Sequence, residues 1–258
     1  MLIAQISDCH LTKDNACDER GVDRLAQLQR AVDFLQEQWP ELDAVVVSGD
    51  VSDDGTAASY AQAKDALAHL PCPAFVLPGN HDLREPMRTA FAAQGYLPAQ
   101  GPLCYAQRIG DLQIVALDSL EEGQVAGVFC EQQATWLEGQ LKASAETPTL
   151  VFVHHPPFAT GLTGVDEICL REGRERFWEV LAPHPQVLGV ASGHIHHAMS
   201  AVHHRTAGAL LVSTCQGLAC QFHHDLIGDA MGGASIDPLA LRLFKYADGQ
   251  LSAHLRSL

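Results

Sequence analysis

Two rhythms of apolar residues run through this chain. Short, mostly apolar runs at Leu2–Ile6, 43–48, Ala74–Leu77, Thr149–Val153 and 187–191 have the length and composition of strands buried on both faces. Between the first three runs the apolar positions step by three and four instead: Val22, Leu25, Leu28, Val32, Leu35 and Trp39, then Tyr60, Ala63, Leu67 and Leu70. That spacing draws one apolar stripe along a helix. Pro40 and Pro71 close the two helices, since proline has no N–H to donate and its ring crowds the preceding turn.

Farther along, 103–109 and 112–117 flank Gly110-Asp111 as a hairpin. Residues 132–141 and Arg174–Leu181 read as helices, and 198–203, 210–213 and 239–246 as later, antiparallel strands. Two stretches, 158–173 and 216–238, read as irregular loops, the second laid over one edge. No repeat or linker divides the chain, so 1–258 reads as one domain. Strand alternating with helix predicts an α/β fold with a mostly parallel sheet, and in such sheets ligands bind beyond the carboxyl ends of the strands.

Five runs end in polar residues of one kind: Asp8 and His10, Asp50, Asn80 and His81, His154, then His194 and His196. Any one of these passes as a cap or turn residue. If the strands run parallel, all five endings meet at one edge. Imidazoles, carboxylates and one amide oxygen suit borderline transition ions such as Fe, Mn, Zn or Co better than Ca or Mg alone. A shared carboxylate offsets the repulsion between two such ions. Two ions about 3.5–4 Å apart polarise a phosphoryl oxygen and generate hydroxide at neutral pH.

Composition narrows the partners. Lys plus Arg number 16 against 31 Asp plus Glu, a net charge of −15 that repels phosphate polymers at long range, so no long nucleic acid is expected. Eight cysteines stand without any C-x-x-C pair, the chain opens without a basic leader, and no apolar run approaches the roughly 20 residues that span a bilayer. A cytoplasmic protein with reduced thiols and no membrane partner is expected, with a homodimer left open.

The set Asp8-x-His10, Gly49-Asp50-x4-Gly55, Gly79-Asn80-His81-Asp82, His154-His155-Pro156-Pro157 and Gly193-His194-x-His196 resembles the calcineurin-like metallophosphoesterase superfamily, all five blocks in order. Within it, the bacterial branch of 3′,5′-cyclic nucleotide phosphodiesterases and glycerophosphodiesterases is the nearest match. The resemblance implies a four-layer α-β-β-α sandwich of two mixed sheets. It implies that Asp8, His10 and His196 hold one metal, that Asn80, His154 and His194 hold another, and that Asp50 bridges them. It further implies in-line attack on a small phosphodiester by a metal-bound hydroxide. His81 would lie beside the phosphate as a catalytic group, with Asp82 orienting it, and Asn80, His81 and His196 would contact the substrate.

A monoesterase, a nuclease cutting short oligonucleotides and a non-catalytic scaffold are the competing readings. Cys215 and Cys220 lie where some glycerophosphodiesterase-like relatives contribute a histidine, with Cys220 or a neighbour at that place, which weakens the glycerophosphodiester reading more than the cyclic nucleotide one. Cys9 is expected to point away from the metals. His155 reads as serving its turn, Asp53 and Asp54 as turn residues, and His197, His203, His204, His223 and His224 as packing or surface groups.

Overall fold

Both rhythms become elements in a computed structural model that describes residues 1–15, 17, 20–162, 164–224, 231–236 and 238–258. In chain order these are β1 (Leu2–Ile6), α1 (Arg24–Gln38), β2 (Ala44–Ser48), α2 (Ala57–Leu67), β3 (Ala74–Leu77), α3 (Arg84–Phe91), β4 (Tyr105–Ile109) and β5 (Leu112–Leu117). There follow β6 (Gly127–Val128), α4 (Glu131–Ala143), β7 (Thr149–Val153), β8 (Leu170–Glu172), α5 (Arg174–Leu181) and β9 (Val187–Ser192). The last are β10 (Ser200–Arg205), β11 (Gly208–Thr214), β12 (Gln221–His224), β13 (Met231–Ser235), β14 (Ala240–Ala247) and β15 (Gln250–Ser257).

One sheet has the order β15-β14-β1-β2-β3, with β1, β2 and β3 parallel and β14 antiparallel to β1. The other has the order β10-β11-β9-β7-β5-β4, with its four inner strands parallel. Side chains alternate between faces along each strand. Ala4, Ile6, Val45 and Val47 turn outward to Leu28, Leu35 and Tyr60 of α1 and α2. Ile3, Ala44 and Val46 turn inward to Ile114, Leu150 and Phe152 of the facing sheet. On the far side Val115, Val151 and Val190 meet Leu137, Leu141 and Phe177 of α4 and α5. Three apolar interfaces thus separate four layers, α-β-β-α, with two mixed sheets. Gln5 is one polar tie between the sheets, giving its amide to Ser48 Oγ at 2.8 Å and Ser192 O at 2.9 Å.

The later strands differ from the expectation in direction. β11 is antiparallel to β10 but parallel to β9, and β14 joins the first sheet; apolar runs of this length carry no direction. The stretch 216–238 is not all loop, since β12 and β13 pair antiparallel, Gln221 with Ser235; residues 225–230 and 237 lie outside the described residues. β8 likewise interrupts 158–173 and pairs parallel with β6. α3 buries Met87 and Phe91, one turn apart, and begins with a proline at its third position, where the N–H has no helical partner to lose. Among the described residues no helix is long and apolar enough to cross a membrane.

Candidate dinuclear metal centre

β1, β2 and β3 of one sheet and β7 and β9 of the other end at a common rim, where backbone bonds lace the loops together. Asp8 N–H meets Gly49 O at 3.0 Å, His10 N–H meets Asp50 O at 2.9 Å and Gly193 N–H meets His154 O at 3.0 Å. Asp8, His10, Asp50, His194 and His196 all hold positive φ, between 48° and 71°; among the described non-glycine residues only Asn15 and Asp248 share this. A β-carbon is crowded in that region, so surroundings must hold such residues in place. Glycines allow the approach: a β-carbon on Gly49 would lie 2.2 Å from His154 Nδ1, and one on Gly193 would lie 2.0 Å from Ser7 Oγ.

Three imidazoles have one nitrogen fixed as a donor. His154 Nδ1 donates to Ser48 O at 2.8 Å, His196 Nδ1 to Cys220 O at 2.9 Å and His10 Nδ1 to Asp53 Oδ1 at 3.0 Å. In a neutral ring the other nitrogen then carries an unshared pair, and all three Nε2 atoms face inward. His10 Nε2 and His196 Nε2 are 3.1 Å apart. His154 Nε2 is 3.3 Å from both Asp50 Oδ2 and Asn80 Oδ1. His196 Nε2 is 3.3 Å from Asp8 Oδ1.

Acceptors facing acceptors at these distances repel unless positive charge lies among them. The site draws such charge: burial opposes a charged ring at His154, yet Asp50 and Asp8 beside it raise its pKa to about 9. Burial likewise raises Asp8, but His196 beside it brings the carboxyl down to about 2. A metal cation answers the same field, and the donor set matches borderline transition ions. These residues fit a metal centre.

Two groups emerge. The ligand atoms of Asp8, His10 and His196 lie within 4.8 Å of one another, as do those of Asp8, Asp50 and His154. Asn80 Oδ1 joins the second group, 2.9 Å from His194 Nδ1. His194 Nε2 is buried and without a hydrogen-bond partner. Asp50 Oδ1 accepts the His81 N–H at 2.9 Å, which leaves Oδ2 turned toward both groups.

Two neighbouring clusters have other uses. His155 lies close to His154 and His194, but its Nε2 donates to Val125 O at 3.0 Å and its Nδ1 accepts from Ser119 Oγ at 2.7 Å. Burial holds its pKa well below that of an ordinary imidazole. It is a strut. Asp53, expected as a turn residue, stands behind two rings: Oδ1 is 3.0 Å from His10 Nδ1 and 3.2 Å from His81 Nδ1, and Oδ2 accepts from Arg24 at 2.9 Å. An acidic residue three positions after Gly49-Asp50 is the signal that marks it. Asp54 does serve the turn, accepting from Lys13 N and Thr56 N.

The expectation that Asp82 orients His81 is corrected. Its buried carboxylate accepts from Val51 N, Ser52 N, Gly79 N and Tyr60 Oη at 2.9–3.2 Å, tying the end of β2 to the end of β3. These donors occupy it, and the group that meets His81 is Asp53. Arg84 ties the same region to the second sheet, reaching the buried Asp118 after β5 at 2.7 and 3.0 Å.

A cavity of about 300 Å³ opens over the centre. Asn80, His81 and His196 line it, as do Arg20, Arg24, Cys220 and Phe222. Cys220 Sγ stands 3.2 Å from His196 Nδ1, and Phe222 stacks on the His196 ring at 4.7 Å and 24°. Cys9 points into the core under α1 and α2. His203 stacks on Trp178, and His223 and His224 bond to Ser235 Oγ and Ile195 O, so none of these three lines the cavity. A larger hollow, about 1000 Å³, lies over the charged residues of 166–179 and touches no ligand residue.

Residues 1–198 match the profile of the calcineurin-like phosphoesterases. The chain belongs to that family. Calcineurin-like phosphoesterases use dinuclear metal centres, and the two His/Asp groups are the candidate ligands here. A 3′,5′-cyclic adenosine monophosphate phosphodiesterase of Vibrio vulnificus is 30% identical over 257 residues, covering 99% of this chain and 89% of that protein. A probable glycerophosphodiester phosphodiesterase of Arcobacter nitrofigilis is 29% identical over 255 residues, covering 98% and 92%. In fold the chain is similar to a dimetal phosphatase from Danio rerio, with a TM-score of 0.72, 16% identity and coverage of 100% and 96%.

Proposed function

We propose that this calcineurin-like phosphoesterase is a dinuclear metal phosphodiesterase of small substrates, with 3′,5′-cyclic nucleotides such as cyclic AMP as its leading substrate class. One observation carries the reading: Asp50 Oδ2 faces His154 Nε2 at 3.3 Å and His10 Nε2 at 3.6 Å. A single carboxylate oxygen is therefore available to both ligand groups. Asp8, His10 and His196 would hold one ion and Asn80, His154 and His194 the other, with Asp50 available to both; Fe, Mn, Zn and Co suit these donors. When bound, the ions polarise the phosphoryl oxygen and lower the pKa of coordinated water.

The chain's own groups do the rest. Asn80, His81 and His196 line the cavity over the centre, where they would meet the phosphate. His81 is part-exposed, and its hydrogen bond to Asp53 raises its pKa above that of an ordinary imidazole. With Nδ1 anchored, Nε2 carries the proton that the leaving oxygen needs. Arg24 fixes Asp53 and also donates to His10 O at 2.7 Å.

A volume of about 300 Å³ suits a small ligand, and a net charge of −15 disfavours a polymer of phosphates. The Vibrio relative, named for cyclic AMP hydrolysis, supports the substrate class. The Arcobacter relative favours a glycerophosphodiester as the second reading, against which a thiol, Cys220, occupies the place beside His196. We read 1–258 as one domain, because β14 pairs with β1, and as cytoplasmic, because all eight cysteines are free thiols.

Turnover of cyclic AMP, bis(p-nitrophenyl) phosphate and p-nitrophenyl phosphate tests the proposal; monoester turnover far above diester turnover overturns it. Fewer than about one transition ion per chain in protein purified without chelator would favour a binding scaffold instead.

A further inference from the structure

The cavity above the ligands has an apolar wall whose three residues come from three peripheral segments. Val125 is one of the few large apolar side chains left exposed, at 53%, and it faces this cavity. Ile168 lines the cavity with it. The pairing of β6 with β8 explains why they stand together. Gly127 is in register with Leu170 in a parallel ladder, and Val125 and Ile168 each lie two residues upstream of that pair. Phe222 faces them from the start of β12, where its N–H bonds His196 O at 3.1 Å.

Each of these segments is tied to the metal-ligand loops. Val125 O receives Nε2 of His155, whose ring lies 4.6 Å from that of His194. Gly127 N–H bonds Cys169 O at 3.0 Å, which joins the Ile168 loop to the Val125 loop. Apolar groups held this firmly beside a polar centre, Val125 exposed and Ile168 and Phe222 part-buried, are placed to meet something. The charges restrict what it is. The carboxylates in the cavity are Asp50 and Asp53, both engaged by imidazoles or Arg24, while Arg20 and Arg24 add positive charge. An ammonium head group has no carboxylate left to pair with. A flat neutral ring has apolar surface on two sides.

We infer that Val125, Ile168 and Phe222 form a subsite for the nucleobase of the substrate, selecting diesters that carry an aromatic ring over aliphatic ones. The inference rests on the phosphodiesterase reading, because the phosphate at the centre sets where the ring falls.

Calorimetric titration of the metal-loaded protein with adenosine 5′-monophosphate and with ribose 5-phosphate isolates the base, the only part by which the two differ. The nucleotide is expected to bind about tenfold more tightly, the size of one base stack. In a Val125→Ala/Ile168→Ala variant the ratio falls to within about threefold, and in Val125→Phe it rises. Equal binding of the two ligands, binding of neither, or a ratio that these variants leave unchanged overturns the subsite. Neither ligand is a diester and no turnover is read. A failure to hydrolyse diesters would therefore remove the proposed activity without deciding this measurement.

Discussion

His81 Nδ1 stands 3.2 Å from Asp53 Oδ1. The same oxygen receives His10 Nδ1 at 3.0 Å, so one carboxylate holds both a candidate metal ligand and the candidate proton donor. Asp53→Ala frees both rings. Groups that orient ligand histidines typically contribute about 10–100-fold in activity or metal affinity, and a loss of that size in kcat, with a raised metal requirement, is expected. Steady-state kinetics on bis(p-nitrophenyl) phosphate across a metal titration measures both; a variant unchanged in either would leave Asp53 as a turn residue.

Asp50→Ala and His81→Ala should part company. Without Asp50 both ligand groups lose their shared oxygen, so activity and bound metal fall together. Without His81 turnover drops by about 10²–10⁴ while elemental analysis finds the metal content near normal. Metal loss in His81→Ala would show that its assigned role is wrong.

Gly49 holds a φ of 99°, and a β-carbon there would run into the His154 ring. Gly49→Ala is expected to cost about 1–3 kcal/mol and several degrees in Tm. Gly139, exposed in α4 with nothing within 4 Å of its added carbon, is the control. Gly139→Ala should be neutral or stabilising by up to about 1 kcal/mol. Thermal melts of the pair decide; equal shifts would contradict the crowding at Gly49.

Buried His155 stays neutral, its pKa held well below the usual imidazole value. Below about pH 6.5 the unfolded chain binds a proton here that the folded chain refuses, so stability declines as pH falls, by at most about 1.4 kcal/mol per pH unit. His155→Gln removes this contribution. Denaturant midpoints between pH 7 and 5, taken with chelator so that metal release does not intervene, should fall less steeply in the variant. Parallel curves would mean that His155 is not what titrates.

The layers and the ligand residues were legible because each rests on a short-range pattern. Ala4 and Ile6 face one way and Ile3 the other, and an apolar run of that kind announces itself. Asp8, Asp50 and His194 each stand two residues beyond a strand's end. What escaped depends on distance in space. Asp53 and Asp82 are two similar carboxylates in two similar loops, and only the path of the chain sends Asp53 to His81 and Asp82 to four donors of its own. α3 was hidden by Pro86, harmless in a first turn yet a stop signal in a linear reading. β12 and Phe222 lie in a segment with no clean period, and their place beside His196 comes from backbone pairing that side-chain patterning does not encode.

The first sheet places β1 between β2 and β14, and the Met1 amino group bonds Tyr246 O across 245 residues of chain. The loop after β1 carries Asp8 and His10, so the strand leading to the first ligands becomes an inner strand only when a strand from far along the chain arrives. During synthesis, that edge stays open until β14, more than 230 residues farther along, has emerged. Metal capture is then expected as a late event, one that follows the pairing of β14 with β1.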